Sequence, residues 1–140
     1  MKTNSCPCGS GKTLTHCCGP LLAGDSSAAT AEALMRSRYS AFTLQDAAYL
    51  LRTWHEQTRP AMLDLNETPS PKWIGLNVIA AQVIDEDHAV VEFVARYKLG
   101  GRAHRLHETS RFVREQGLWY YVDGLIDGQP ISTSGSAADH

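Results

Sequence analysis

The residues best suited to chemistry are four cysteines. Cys6, Cys8, Cys17 and Cys18 lie in one short stretch, and no other cysteine occurs in the 140 residues. Their spacing is C-x-C-x8-C-C. Two thiolates one residue apart can reach a single ion from a tight turn, Gly9 and Gly11 let the backbone fold back, and the loop then returns two more sulfurs. Four sulfurs at about 2.3 Å in a tetrahedron suit zinc, with iron the chief competitor at so soft a site. A disulfide framework would spread its cysteines over the fold it had to hold, so the clustering points to metal. The plainer alternative is a set of reduced thiols with no ion, which this spacing disfavours. His16 is the one substitute ligand at hand, and Cys17 and Cys18 are preferred to it. A closed four-thiolate site is structural, because catalytic zinc keeps an open position.

Within the same stretch, Gly9-Ser10-Gly11-Lys12-Thr13 looks like the end of a phosphate-binding loop. That motif needs a glycine five residues before its second glycine, where this chain has Cys6. It also needs a preceding strand, for which the five residues before Cys6 leave no room. Nucleotide binding is rejected here.

A second candidate group comes from the elements further on. Gly100-Gly101 is a strong two-residue hairpin turn between runs 88–99 and 102–114, which alternate as strands do. If Leu99 pairs with Arg102, then Tyr97 faces His104, Ala95 faces Leu106, Phe93 faces Glu108 and Val91 faces Ser110. That face is mostly apolar and must point inward. A carboxylate among such neighbours is paired or has a raised pKa. Arg38 is the expected partner of Glu108, and a buried Arg38–Glu108 pair that only fixes helix to sheet is the plainer reading. The functional reading is an acid/base pocket of Glu108, His104 and Tyr97, with Arg38, Phe93 and Ser110 around it and Trp54 and His55 as a cap. His107 falls on the outer face with Arg96, Lys98, Arg105 and Arg111, relieved by Glu92. That stripe lacks interleaved aromatics and reads as a solvated sheet face, which does not favour a nucleic-acid partner.

These groups need a frame. Thr30 is a good N-cap with Glu32 in the first turn, followed by Leu34, Met35, Tyr39, Ala41 and Phe42 at helical spacing. A second helix is predicted from Asp46 to Trp54. Arg59-Pro60 and Pro69-Ser70-Pro71 break helix, and strands follow at 73–84, 88–99, 102–114 and 118–124. Helices first and then a meander of long antiparallel strands is an α+β layout, whose curled sheet encloses a concave face.

The chain also carries a family resemblance. Cys6-Pro7-Cys8-Gly9-Ser10-Gly11-Lys12 followed by Cys17-Cys18-Gly19 resembles the SEC-C motif, the zinc knuckle at the C-terminus of the SecA translocation ATPase. In SecA the fourth ligand is typically histidine, whereas here that position is Cys18. Residues 34–42, 49–55, 107–112 and 119–124 look like the YchJ family of bacterial SEC-C proteins. The resemblance covers residues 5 to about 126. It implies an NTF2-like (cystatin-related) cone for the main segment, and no particular activity.

The expected division is a knuckle at 1–22, an NTF2-like domain at 23–127 and a flexible tail at 128–140. Residues 21–29 read as a small, polar linker. With 43% hydrophobic and 20% charged residues and a net charge of −2, the chain reads as globular, with no global pull toward nucleic acid or anionic membrane. No apolar run approaches the roughly 18 residues that span a bilayer, and the first residues lack the apolar centre of a secretory signal. A cytoplasmic protein with reduced thiols is therefore expected. Its expected role is a binding or adaptor module that docks a protein or ribonucleoprotein partner through the knuckle tip, Lys12 to Thr15. The alternative is a small-molecule site or an isomerase- or dehydratase-like enzyme in the cone.

Overall fold

Helix capping starts where the sequence predicts. In the computed structural model, which describes residues 6–63, 71–126 and 129–130, Thr30 is extended and its Oγ1 accepts from the Ala33 amide at 3.0 Å. This opens α2 (Ala31–Leu44). Gln45, at φ 58°, ends that helix. Asp46 at once caps α3 (Ala47–Arg52) by accepting from the Tyr49 amide. α3 stops two residues short of the predicted end, and Trp54 instead forms a bridge with Tyr121.

Five antiparallel strands follow and pair in sequence order: β1 (Lys72–Asp85), β2 (His88–Leu99), β3 (Arg102–Glu115), β4 (Leu118–Ile126) and β5 (Gln129–Pro130). Turns at Gly100–Gly101 and Gln116–Gly117, all four at positive φ, set the hairpins. The β2–β3 register is the predicted one, from Leu99 opposite Arg102 to Val91 opposite Ser110. β1 has three register shifts against β2, at Ile74, Ile79 and Ile84, and β4 has one against β3, at Val122. Such bulges sharpen twist and curl the sheet around the helices.

The concave face carries the core. Val91, Phe93 and Ala95 of β2 pack against Leu34, Met35 and Tyr39 of α2, with Phe112, Trp119 and Tyr121 closing the far side. Each large apolar side chain buried here contributes about 1.5–3 kcal/mol. A second cluster of Ala41, Tyr49 and Leu50 locks α3 onto α2.

Two expectations about the ends change. The predicted linker holds a helix, α1 (Gly19–Ala23), with Pro20 in its first turn, where a missing N–H costs nothing. Leu21 and Leu22 then anchor it by packing on the α2–α3 cluster. The cysteine segment does not stand free either, because Cys6, Cys8 and Cys18 belong to the same core cluster as Leu34, Phe93 and Trp119. At the other end, Gln129 and Pro130 pair with Ile126 and Leu125 inside the stretch expected as tail. Residues 131–140 of that tail lie outside the described residues, as do 1–5.

Candidate metal centre and buried polar cluster

The chain turns back between the two cysteine pairs on Gly9 and Gly11, both in the left-handed region at φ 79° and 89°. The Cys6 amide donates to Lys12 O and closes the loop. A short 3-10 turn at Leu14–His16 then delivers Cys17 and Cys18. The four Sγ atoms lie within 4.8 Å of one another. Cys8 and Cys17 are 3.6 Å apart and Cys17 and Cys18 3.9 Å. A tetrahedron with metal–sulfur bonds of about 2.3 Å has edges of about 3.8 Å, so the cage has the size of a metal site.

Electrostatics favour a cation at its centre. The hydrogen bond from Cys18 holds the Cys8 thiol down to about 4, against burial, which raises it. Cys18 is pushed far up by that same bond and by burial, and burial raises Cys17 too. Four sulfurs this close share little negative charge among themselves, and a divalent ion lets all four ionise. The surroundings are built to match. Ser10 Oγ sits 3.1 Å from Cys17 Sγ, Ser40 Oγ 3.5 Å from Cys6 Sγ, and Arg36 donates to the Cys8 carbonyl at 3.0 Å while paired with Glu32. Outer partners of this kind orient ligands and tune their affinity. His16 is exposed, with Nδ1 against Thr13 Oγ1, and stands outside the cage. No sequence signal picked out Arg36 or Ser40, because each acts only through the packing of the knuckle on α2, nor Ser10, which meets Cys17 only once the loop has folded back.

The acid/base candidates do not converge. Glu108 is buried and Phe93 and Ser110 lie beside it in the core, as expected. Arg38 is buried too, but no direct Arg38–Glu108 ion pair forms among the described residues. Arg38 donates to Leu50 O at 2.8 Å and Thr53 Oγ1 at 2.7 Å, with its guanidinium 4.5 Å from the Tyr121 ring centre and 5.2 Å from that of Trp54. Glu108 Oε2 accepts instead from Ser110 at 2.6 Å and from Tyr121 at 3.4 Å. α2 and α3 pack together closely enough for the α3 end to take the guanidinium that the sequence assigned to the carboxylate. Burial pushes the Glu108 carboxyl up, opposed by Ser110, Arg38 and Tyr121. Burial also lowers Arg38 to about 10, which leaves it charged at neutral pH, and raises the Tyr121 phenol, which stays a donor. A Cβ at Gly124 would sit 2.8 Å from Glu108 Oε2, so β4 closes directly over the carboxylate.

Tyr97 and His104 stack on each other, but His104 is exposed and lies four positions along β3 from Glu108, roughly 13 Å away. His55 is buried and turns to Glu115 at 2.8 Å and to the Tyr120 ring. Trp54 packs edge-on against Tyr121, and its Nε1 is buried without a partner among the described residues. Tyr121 is the member that sequence reasoning missed, since the bulge at Val122 shifts which β4 residues face inward. An open groove of about 420 Å³ lies elsewhere, between the start of α2 and the β1–β2 hairpin, lined by Thr30, Glu32, Val83, Arg114 and Trp119. Glu108 does not line it. On the outer face, Arg111 pairs with Asp123 and His107 with Glu92. No described helix is long and apolar enough to cross a membrane.

Comparison with known proteins agrees with this architecture. Residues 30–124 match the model of the YchJ middle NTF2-like domain, and residues 3–20 match the SEC-C motif. A UPF0225 protein of Ralstonia nicotianae is 58% identical, over 87% of this chain and 91% of the relative. One of Polaromonas naphthalenivorans is 55% identical, over 87% and 97%. The solution structure of a SEC-C motif containing protein from Rhodopseudomonas palustris superposes with a TM-score of 0.76 at 39% identity, covering 87% of this chain and 97% of that one. The crystal structure of a SEC-C motif containing protein from Psychrobacter arcticus gives 0.73 at 31%, covering 88% and 81%. With an NTF2-like domain of helices on a curled antiparallel sheet and a cysteine knuckle sized for a metal ion, this chain belongs to the YchJ family of SEC-C motif proteins.

Proposed function

We propose that the chain is a non-enzymatic binding module, working in a reducing cytoplasm, whose knuckle holds one zinc ion and presents a rigid docking surface to a protein or ribonucleoprotein partner. The observation that carries this reading is the cage itself. Four sulfurs close the coordination sphere and three of the four cysteines are buried in the domain core, so an ion there organises surface and leaves no position for substrate. Zinc is preferred to iron because it takes four thiolates without redox chemistry. Ser10, Lys12, Thr15 and His16 are the exposed side chains of the loop, and Ser10 is turned to Cys17. Leu14, first expected among the docking contacts, packs against the core and serves the knuckle's own structure. Weighing against acid/base chemistry in the cone are the engaged Glu108 carboxylate and the distant His104.

Lys12→Glu combined with Thr15→Asp tests the docking surface. The double variant should keep its metal by elemental analysis and its melting temperature, yet lose the proteins that the tagged parent retains from its native host. Charge reversal should act mainly on association and its salt dependence. Undiminished recovery of the same proteins would overturn docking through the knuckle, and iron in place of zinc in protein from that host would overturn the metal assignment.

A further inference from the structure

Charge is unevenly divided over this chain. Residues 72–84 and 93–107 carry Lys72, Arg96, Lys98, Arg102 and Arg105 and not one acid. Taking those five from the 13 lysines and arginines leaves eight against 15 acids, so a net charge of −2 is made of +5 here and −7 elsewhere. The sheet concentrates these cations at one end. Lys72 stands opposite Lys98, and Arg96 opposite Arg105. Like charges directly opposite weaken a sheet. All five are exposed, and none forms an ion pair among the described residues. Two described acids of the outer face, Glu92 and Asp123, are held by His107 and Arg111. A surface that keeps such repulsion unrelieved suits an anionic partner.

The other face at this end is aromatic. Trp73, Tyr97 and His104 form one row across β1, β2 and β3, with ring centres 5.0 Å and 5.2 Å apart and the Tyr97 and His104 planes within 19° of each other. Trp73 is tied to Tyr39 and Phe42 beneath, whereas the outermost ring, His104, is open to solvent. Both faces can be reached from one edge. β3 pairs with β4 only from Glu108 onward, so no described strand covers the outer edge of residues 102–107. Alternation along that edge puts Arg102 and His104 on one side and Arg105 on the other.

We propose that this edge binds single-stranded nucleic acid, with the lysines and arginines on phosphates and an unpaired base stacked on the His104–Tyr97 pair. Stacking platforms beside a cationic track are how sequence-tolerant single-strand binders work. An acidic protein would use the charges and leave the stacked rings idle, and a duplex would keep its bases from them. The stripe carries no rings on its own face, but three aligned strands set a row of them on the opposite face, within reach around the same edge. This surface is separate from the knuckle tip and stands or falls without the docking reading.

The test is fluorescence anisotropy with the full metal-loaded chain and a labelled mixed-sequence RNA of about 12 nucleotides. Engagement of about four phosphates predicts a dissociation constant that rises roughly 50-fold between about 50 and 200 mM salt. Arg96→Glu with Arg105→Glu should weaken binding at least about tenfold and lower the salt slope by about 1.4. His104→Ala should weaken it at least about fivefold with the slope unchanged. All three positions are exposed, and unchanged melting temperatures confirm that the variants fold. Absence of binding at about 50 mM salt overturns the proposal, as does indifference to the charge reversal. Equal binding of a polyglutamate of matched charge, with no effect of His104→Ala, assigns the surface to an acidic protein and overturns it too.

Discussion

Replacing Glu108 separates a structural carboxylate from an ion-pair partner. In Glu108→Ala, the buried Ser110 hydroxyl loses its acceptor at 2.6 Å, and a buried donor left unsatisfied costs about 1–3 kcal/mol. The lost γ-methylene and the partly collapsed cavity left by the side chain add about 1–2 kcal/mol. Removing a carboxyl that burial disfavours offsets part of this. The expected cost is about 2–3 kcal/mol, below the 3–5 kcal/mol typical of breaking a direct buried ion pair. The difference arises because Arg38 is not stranded: Leu50 O and Thr53 Oγ1 still accept from it. Glu108→Gln keeps the volume and an acceptor for Ser110, so it should cost about 1 kcal/mol or less.

The pH dependence carries a definite sign. Burial raises the Glu108 pKa in the folded protein above its ordinary value of 4.5, so the native state holds the proton more tightly than the unfolded chain. That contribution to stability is complete below the unfolded value and is lost as pH rises through the raised folded value. Glutamine has no such proton to lose. The Glu108→Gln protein should therefore gain on the parent as pH rises through that window. Urea unfolding of the metal-loaded proteins, followed by circular dichroism at about pH 5 and about pH 8, reads both quantities. An alanine cost below about 0.5 kcal/mol, or a glutamine-to-parent gap that is flat in pH, would refute the buried placement of Glu108.

Elemental analysis should find one ion per chain, reduced by serine at Cys6, Cys8, Cys17 or Cys18 and unaffected by His16→Ala. Loss of metal from the histidine variant alone would mean that the ligand set is wrong. A chain beginning at Ala28 lacks the three buried cysteines together with Leu14 and Leu22, which pack against the core. Its melting temperature should fall by about 10 °C or more, and an unchanged one would show that the knuckle rides on the domain without supporting it.

Much of this was legible one residue at a time. Thr30 and Asp46 announced their helices because a cap acts within four residues of chain. Gly100-Gly101 announced the β2–β3 register because a two-residue turn leaves one pairing that buries Val91, Phe93 and Ala95 together. The cysteine cage was legible for the same reason, since its four thiols and its turning glycines all fall between Cys6 and Cys18.

What the chain determines locally, then, is its caps, its hairpins, its cluster of four cysteines and the inward placement of Glu108. Tertiary structure decided the partners. It gave Arg38 to the end of α3, brought Tyr121 to Glu108 through a bulge, and drew the knuckle onto α2 through Arg36 and Ser40. It also lined up Trp73, Tyr97 and His104 across three strands while setting arginine against arginine on the opposite face. Side-chain partners far apart in sequence depend on how helices settle against a twisted sheet. A bulge that moves one residue exchanges the faces of all that follow, and no local pattern of residue types carries that information.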